Sequence, residues 1–226
     1  MFLNGPLALL LTNAEGFRAR VALEGVTDAS VNGAIAGELM SRGGKLFFAQ
    51  EPNPAGGKKA RAEDFSYIWD VSTGQGYMLN GPLQGYAPIS SKNRYTNMVV
   101  EAGKSAAAER MAGHPCQQSE VTVTSSEGVA TQFHLWRATD LKEVPVRVTF
   151  TSDGKPVTLS LSKLRLEVPP QELFLPPDGF TKYASAEGMV NELASREQNL
   201  KRKRGYEPPI SDDIGFRDGH APTRTQ

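Results

Sequence analysis

Apolar and polar residues alternate along most of this chain. Phe17, Ala19, Val21 and Leu23 face one way, and Arg18, Arg20 and Glu24 the other. That is the period of a strand with one wet face. Ala34–Ser41 and Lys45–Gln50 flank Arg42-Gly43-Gly44 and predict a hairpin, because Gly-Gly supplies the positive φ of a tight turn. Further strands are expected over 60–65, 67–71 and 76–79, with a turn at Ser72-Thr73-Gly74. Asn80-Gly81-Pro82 and Gly85-Tyr86-Ala87-Pro88 close this half.

The second half repeats the alternation more strongly. Strands are predicted at Ser119–Thr124, Thr131–Arg137, Val144–Thr151 and Val157–Val168, separated by Ser126-Glu127-Gly128 and Ser152-Asp153-Gly154-Lys155. Asp-Gly accommodates left-handed geometry and marks a hairpin turn. The apolar phase slips by one at Ser162-Lys163, which predicts a bulge or a change of strand.

Three stretches carry a helical spacing instead. Leu7, Leu10 and Leu11 predict a short helix packed on the sheet. Met98, Val99, Ala102, Ala106 and Met111 predict one or two short helices within 90–112, between the sheet halves. Met189, Val190, Leu193, Ala194 and Leu200 stripe a helix over 184–203, closed by Lys201-Arg202-Lys203-Arg204, since cations suit a helix C-terminus. From Gly205 onward the chain is polar and without period, so a tail is expected there. The organisation read from this is an apolar segment (1–14), a β domain (15–183), a helix (184–204) and a tail (205–226).

Composition narrows the classes. A chain of 226 residues with 15 Pro and 22 Gly fits one turn-rich, mainly β domain with tails. Lys plus Arg equals Asp plus Glu, 25 each, so no global field draws it to nucleic acid, and no nucleic-acid partner is expected. No run of about 18 apolar residues exists, so no spanning helix is expected. The opening Leu7–Leu11 segment lacks a basic start and a small-x-small site, so no signal peptide is read in it. Cys116 is the only cysteine, which excludes an intrachain disulfide and leaves the compartment open.

Gly-His-Pro-Cys at 113–116 leads into a strand, Leu-Trp-Arg-Ala-Thr-Asp-Leu at 135–141 follows a glycine turn, and Glu-Leu-Phe-Leu-Pro-Pro-Asp-Gly-Phe closes the region at 172–180. With Phe17–Glu24, Arg61–Asp70 and Gly76-Tyr77-Met78-Leu79, this order resembles the bacterial lipoprotein-carrier group, the LolA/LolB-like proteins and small envelope proteins related to them. The resemblance spans roughly residues 15–183. It implies a mainly β (α+β) fold: a curved antiparallel sheet, an incomplete barrel, with helices covering the concave face. It also implies a periplasmic or cell-envelope place and an apolar ligand held between sheet and helices. Two features depart from the family pattern: no signal peptide or lipobox is read ahead of the domain, and the tail after Arg204 has no counterpart.

Candidate chemistry is sparse. His114, His134 and His220 sit at no paired ligand spacing, so neither metal nor cofactor is expected. Gly-x-Ser-x-Gly and phosphate-loop patterns are absent. Cys116 with His114 is the conceivable nucleophile pair; the plainer reading is that His-Pro-Cys starts a strand. Glu63-Asp64, Glu167 and Asp212-Asp213 are read as solvated carboxylates. Lys201–Arg204 could meet anionic lipid or nucleic acid, and otherwise is a solvated helix end. Tyr67, Trp69, Tyr77, Phe133 and Trp136 have few basic neighbours, so core or cavity walls suit them better than base stacking.

What remains is the apolar face. The inward set expected to line it is Phe17, Val21, Leu39, Phe48, Trp69, Leu79, Phe133, Leu135, Val146, Val148, Leu159 and Leu166. Either helices fill that face as a core, or a cavity remains for a ligand. The function expected is non-enzymatic binding of a lipid or lipoprotein acyl chain, with an envelope protein as a further partner. The alternatives are an interaction module with a filled core whose tail docks a partner, and a hydrolase using Cys116.

Overall fold

The computed structural model describes residues 6–12, 15–25, 35–51, 65–90, 95–101, 109–125, 127–152 and 154–205. Helix α1 (Pro6–Leu11) precedes strands β1 (Gly16–Glu24), β2 (Ile35–Arg42), β3 (Lys45–Gln50), β4 (Phe65–Asp70), β5 (Gln75–Asn80) and β6 (Gly85–Ser90). Then come β7 (Tyr95–Glu101), β8 (Glu109–Met111), β9 (His114–Ser125), β10 (Ala130–Ala138), β11 (Val144–Ser152) and β12 (Lys155–Arg165). A 3-10 turn (Gln171–Phe174), the two-residue strand β13 (Thr181–Lys182) and helix α2 (Ala186–Gly205) finish the described chain.

The strands form one long open sheet, not closed into a barrel, in the order β13-β6-β5-β4-β3-β2-β1-β12-β11-β10-β9-β7, with β8 also on β9. Every pairing is antiparallel except β13 with β6. The sheet curves around an inner, concave face, on which both helices pack.

Local chemistry explains the joints. Gly43 and Gly44 (φ +53° and +81°) turn β2 into β3, as their permissive backbone allows. The phase slip in β12 is a bulge: Arg20 pairs with Ser162 but Arg18 with Arg165, and Lys163 takes φ +50°. The short helix expected from Leu7, Leu10 and Leu11 forms over Pro6–Leu11 and buries Leu7, Ala8, Leu10 and Leu11.

Two expectations are corrected. The helical spacing read in 90–112 yields strands β7 and β8 instead; 91–94 and 102–108 lie outside the described residues. Strand β9 runs for twelve residues, and its free edge holds backbone groups that need partners. Met98 and Val100 pair with Val123 and Val121, and Met111 with His114. That demand outweighs the helical spacing. Residues 85–90, read as the end of a half, are strand β6. Pro88 fits there because β13 pairs only as far as Tyr86, so the missing N–H faces an open edge.

After β12 the chain crosses the outer face. The Arg42 guanidinium donates to the Pro169 carbonyl (2.6 Å). The 3-10 turn lays Phe174 onto Met40, Ile68 and Leu79. Thr181 then donates its N–H to Gln84 O (2.8 Å), starting the parallel pair. Outer-face ion pairs Arg18–Glu38 and Arg20–Glu51 (2.5 Å each) are roughly half-exposed and screened by solvent, so they contribute little to stability.

Candidate functional site

The inner face is built by alternation. Strands β1, β2, β3, β4, β10, β11 and β12 bring Phe17, Val21, Leu39, Phe48, Trp69, Phe133, Leu135, Val148 and Leu159 into one cluster, each at most 2% exposed. Phe48 and Tyr67 stack at 6.4 Å, and Phe133 meets Phe150 at 5.1 Å. Helix α1 presses Leu7, Leu10 and Leu11 into the same cluster. At the β6 end, Met189 of α2 packs on Met78, Leu83 and Ala87.

Three expected members lie elsewhere. Tyr67 and Trp69 pair with Met78 and Gly76, while Leu79 pairs with Ser66, so Leu79 faces outward onto Phe174. Val146 packs with Cys116 and Ala138, beside the register shift between Trp136 and Arg137. Leu166 is 40% exposed beyond the end of β12, in a pocket of about 120 Å³ with Glu15, Lys142 and Glu167. The cluster also takes Leu46, Val121, Val123 and Leu161. Their alternation within β3, β9 and β12 was the signal that finds them.

A water-filled cavity would leave its walls accessible. These nine side chains are closed to water, so this part of the face is filled as the chain stands. On the outer face a groove of about 410 Å³ runs past Gln132, His134, Thr149, Thr151 and Pro156. His134 Nδ1 lies 3.5 Å from Glu120 Oε1, an ion-pair distance without a hydrogen bond.

The polar candidates resolve into local structure. His114 Nδ1 bonds Asp140 Oδ2 at 2.9 Å. The Cys116 thiol donates to the His114 carbonyl oxygen (3.4 Å), a backbone atom. Burial pushes that thiol up, Asp140 and Glu109 add to the rise, and a backbone hydrogen bond with Met111 opposes it. A raised, buried thiol is a poor nucleophile. Burial also draws the Arg137 guanidinium down, with Glu143 opposing, and its Nε has no partner among the described residues. Among the described residues no group of three or more His, Cys, Asp or Glu could hold a metal ion, and no helix is long and apolar enough to cross a membrane. The latter says nothing of crossing by strands. His220, Glu63-Asp64 and Asp212-Asp213 lie outside the described residues.

No family model and no curated protein matches the chain. Solved structures do. A LolA superfamily protein from Nitrosomonas europaea is similar at TM-score 0.46 and 10% identity, over 75% of this chain and 94% of that one. The lipoprotein LppX of Mycobacterium tuberculosis is similar at TM-score 0.40 and 12% identity, over 74% of this chain and 98% of that one. PNGF-II is similar at TM-score 0.38 and 9% identity, over 81% of this chain but only 33% of that protein.

Proposed function

We propose that the inner face holds an apolar ligand, a lipid or lipoprotein acyl chain, between the sheet and α1, without covalent chemistry. One observation carries this reading. A broad apolar face drawn from both halves of the sheet is covered at β7, β9 and β11 by a helix of only six residues. A helix that short has no stability of its own, because nucleation costs more than one turn returns. Among the described residues it is held by the burial of Leu7, Ala8, Leu10 and Leu11. An acyl chain offers the same kind of contact, at about 0.8 kcal/mol per CH₂ buried. It would take over the contacts of these side chains, lifting α1 outward as a cover over the ligand and leaving the sheet unchanged. A periplasmic or envelope setting, with an envelope protein handing over or receiving the ligand, goes with this reading.

The test is native mass spectrometry of gently purified full-length protein, with uptake of a fluorescent fatty acid. A discrete co-purifying lipid, or probe uptake that rises when Leu10→Ser and Leu11→Ser loosen α1, supports the reading. A lipid-free protein that takes up no probe in either form overturns it.

The closed walls favour a second reading, an interaction module with a filled core whose residues 205–226 dock a partner. A pull-down with and without that segment tests it, and loss of a partner only on deletion supports it. Residues 206–226 lie outside the described residues.

A further inference from the structure

Helix α2 is longer than its seat. Twenty residues span about 30 Å. Only its first turns meet the sheet, through Ala186, Met189 and Leu193 against the β5–β6 end. Met189, Leu193 and Leu200 lie within about 40° of one another on the helix wheel. The apolar stripe therefore continues past the sheet, and Leu200 is left 57% exposed. Arg196 is held by Glu192 one turn earlier (2.7 Å), and Arg202 is exposed.

Directly after Leu200 come four consecutive cations, Lys201-Arg202-Lys203-Arg204, in a chain whose charges balance overall. An apolar residue left exposed among the described residues, next to a run of cations at the C-terminal end of a helix, complements one kind of surface. The cations match anionic headgroups, and the apolar side chain enters the acyl boundary beneath them. Nucleic acid would match the charge but give Leu200 no place.

We propose that the C-terminal end of α2 docks the protein on an anionic lipid bilayer, with Leu200 seated in the interface and Lys201–Arg204 among the headgroups. The site is separate from the inner face, and the proposal stands whether or not that face takes a ligand. Docking would bring the β6–β13 end of the sheet toward the membrane.

Full-length protein is sedimented with vesicles of phosphatidylcholine containing about 30% phosphatidylglycerol, and with phosphatidylcholine alone. Binding to the anionic vesicles is expected, weakening steeply with salt as surface charges are screened. Lys201→Gln, Arg202→Gln, Lys203→Gln and Arg204→Gln combined should weaken it at least about 10²-fold, since each cation near the surface adds attraction. Leu200→Ser should weaken it several-fold at unchanged salt slope. The substitutions lie beyond the part of α2 seated on the sheet, and an unchanged circular dichroism spectrum confirms that the variants fold. No binding to anionic vesicles, equal binding by the four-Gln variant, or a preference for poly(A) RNA over vesicles overturns the proposal. Unchanged binding by Leu200→Ser overturns the seating of Leu200.

Discussion

Trp69 in β4 pairs directly with Gly76 in β5 and fills the place of the side chain that Gly76 lacks. A methyl group at Gly76 would lie 2.7 Å from Trp69 Cε3, and it would also strike the Ile68 carbonyl oxygen. The Gly76→Ala substitution should therefore destabilise by about 1–3 kcal/mol, as overpacking does. Gly81, with nothing near its missing Cβ and no positive φ, is the control, and Gly81→Ala should stay within about 0.5 kcal/mol. Urea midpoints at constant m would compare them.

Helix α1 should open on its own. With six residues and no local stability, the amides of Leu10–Thr12 should exchange at least about 10²-fold faster than those at the centre of β1. Hydrogen-exchange mass spectrometry reads both peptides. Equal protection would mean that α1 opens only when the sheet unfolds, and would remove the displaceable cover from the functional proposal.

Much of the sheet was legible because its strands alternate so regularly. Phe17, Val21, Leu159 and Phe133 could be assigned to one face by period alone, and the bulge at Lys163 showed as a slip in that period. Leu79 shows where the reading failed. Its strand carries apolar residues at 77, 78 and 79, facing both the inner cluster and the strap bearing Phe174. Alternation cannot choose a side when both sides are dry. The helix expected within 90–112 failed for another reason: the edge of β9 decides those residues, and edge demand is not written in the segment that meets it.

Asp70 should leave a mark on the acid limb. Burial pushes its carboxyl up, but the Ser72 hydroxyl (2.6 Å), the Thr73 N–H (3.2 Å), Lys45 (3.9 Å) and the Ser72 N–H (3.0 Å) outweigh it and hold the group below its usual range. A lowered carboxylate stabilises fully above its unfolded value of about 4, and that contribution is lost as pH falls through the folded value. Asp70→Asn should lower stability by about 0.5–1 kcal/mol at pH 7. The gap should close below about pH 4. Urea unfolding across pH tests the convergence, and a gap that stays constant into acid would assign the loss to packing.

Cys116 should be inert while the chain is folded. It is buried and its thiol is shifted up, so reaction with iodoacetamide at pH 8 should be at least about 10²-fold slower than in urea. Fast labelling of the native protein would revive a thiol chemistry for the His114–Asp140 corner.

Lys163 occupies left-handed backbone at the β12 bulge. An L side chain there costs about 1–2 kcal/mol, and glycine relieves it against its own entropy of about 0.5–1 kcal/mol. Lys163→Gly should thus stabilise by up to about 1 kcal/mol, read from thermal or urea midpoints. Destabilisation would mean that the lysine side chain contributes more than the strain it imposes.

The pairing of β1 with β12 bears on how the protein is made. Leu23 meets Leu159 in the middle of the finished sheet, yet these residues stand 136 positions apart in the chain. During synthesis β1–β6 emerge long before β12 and β13, so the growing chain carries a half-sheet with both edges bare and an uncovered apolar face. Only when β12 arrives do the two halves join, which makes folding slow and non-local. The nascent chain is therefore a natural client for a holding chaperone, and fragments ending before residue 155 should aggregate rather than fold.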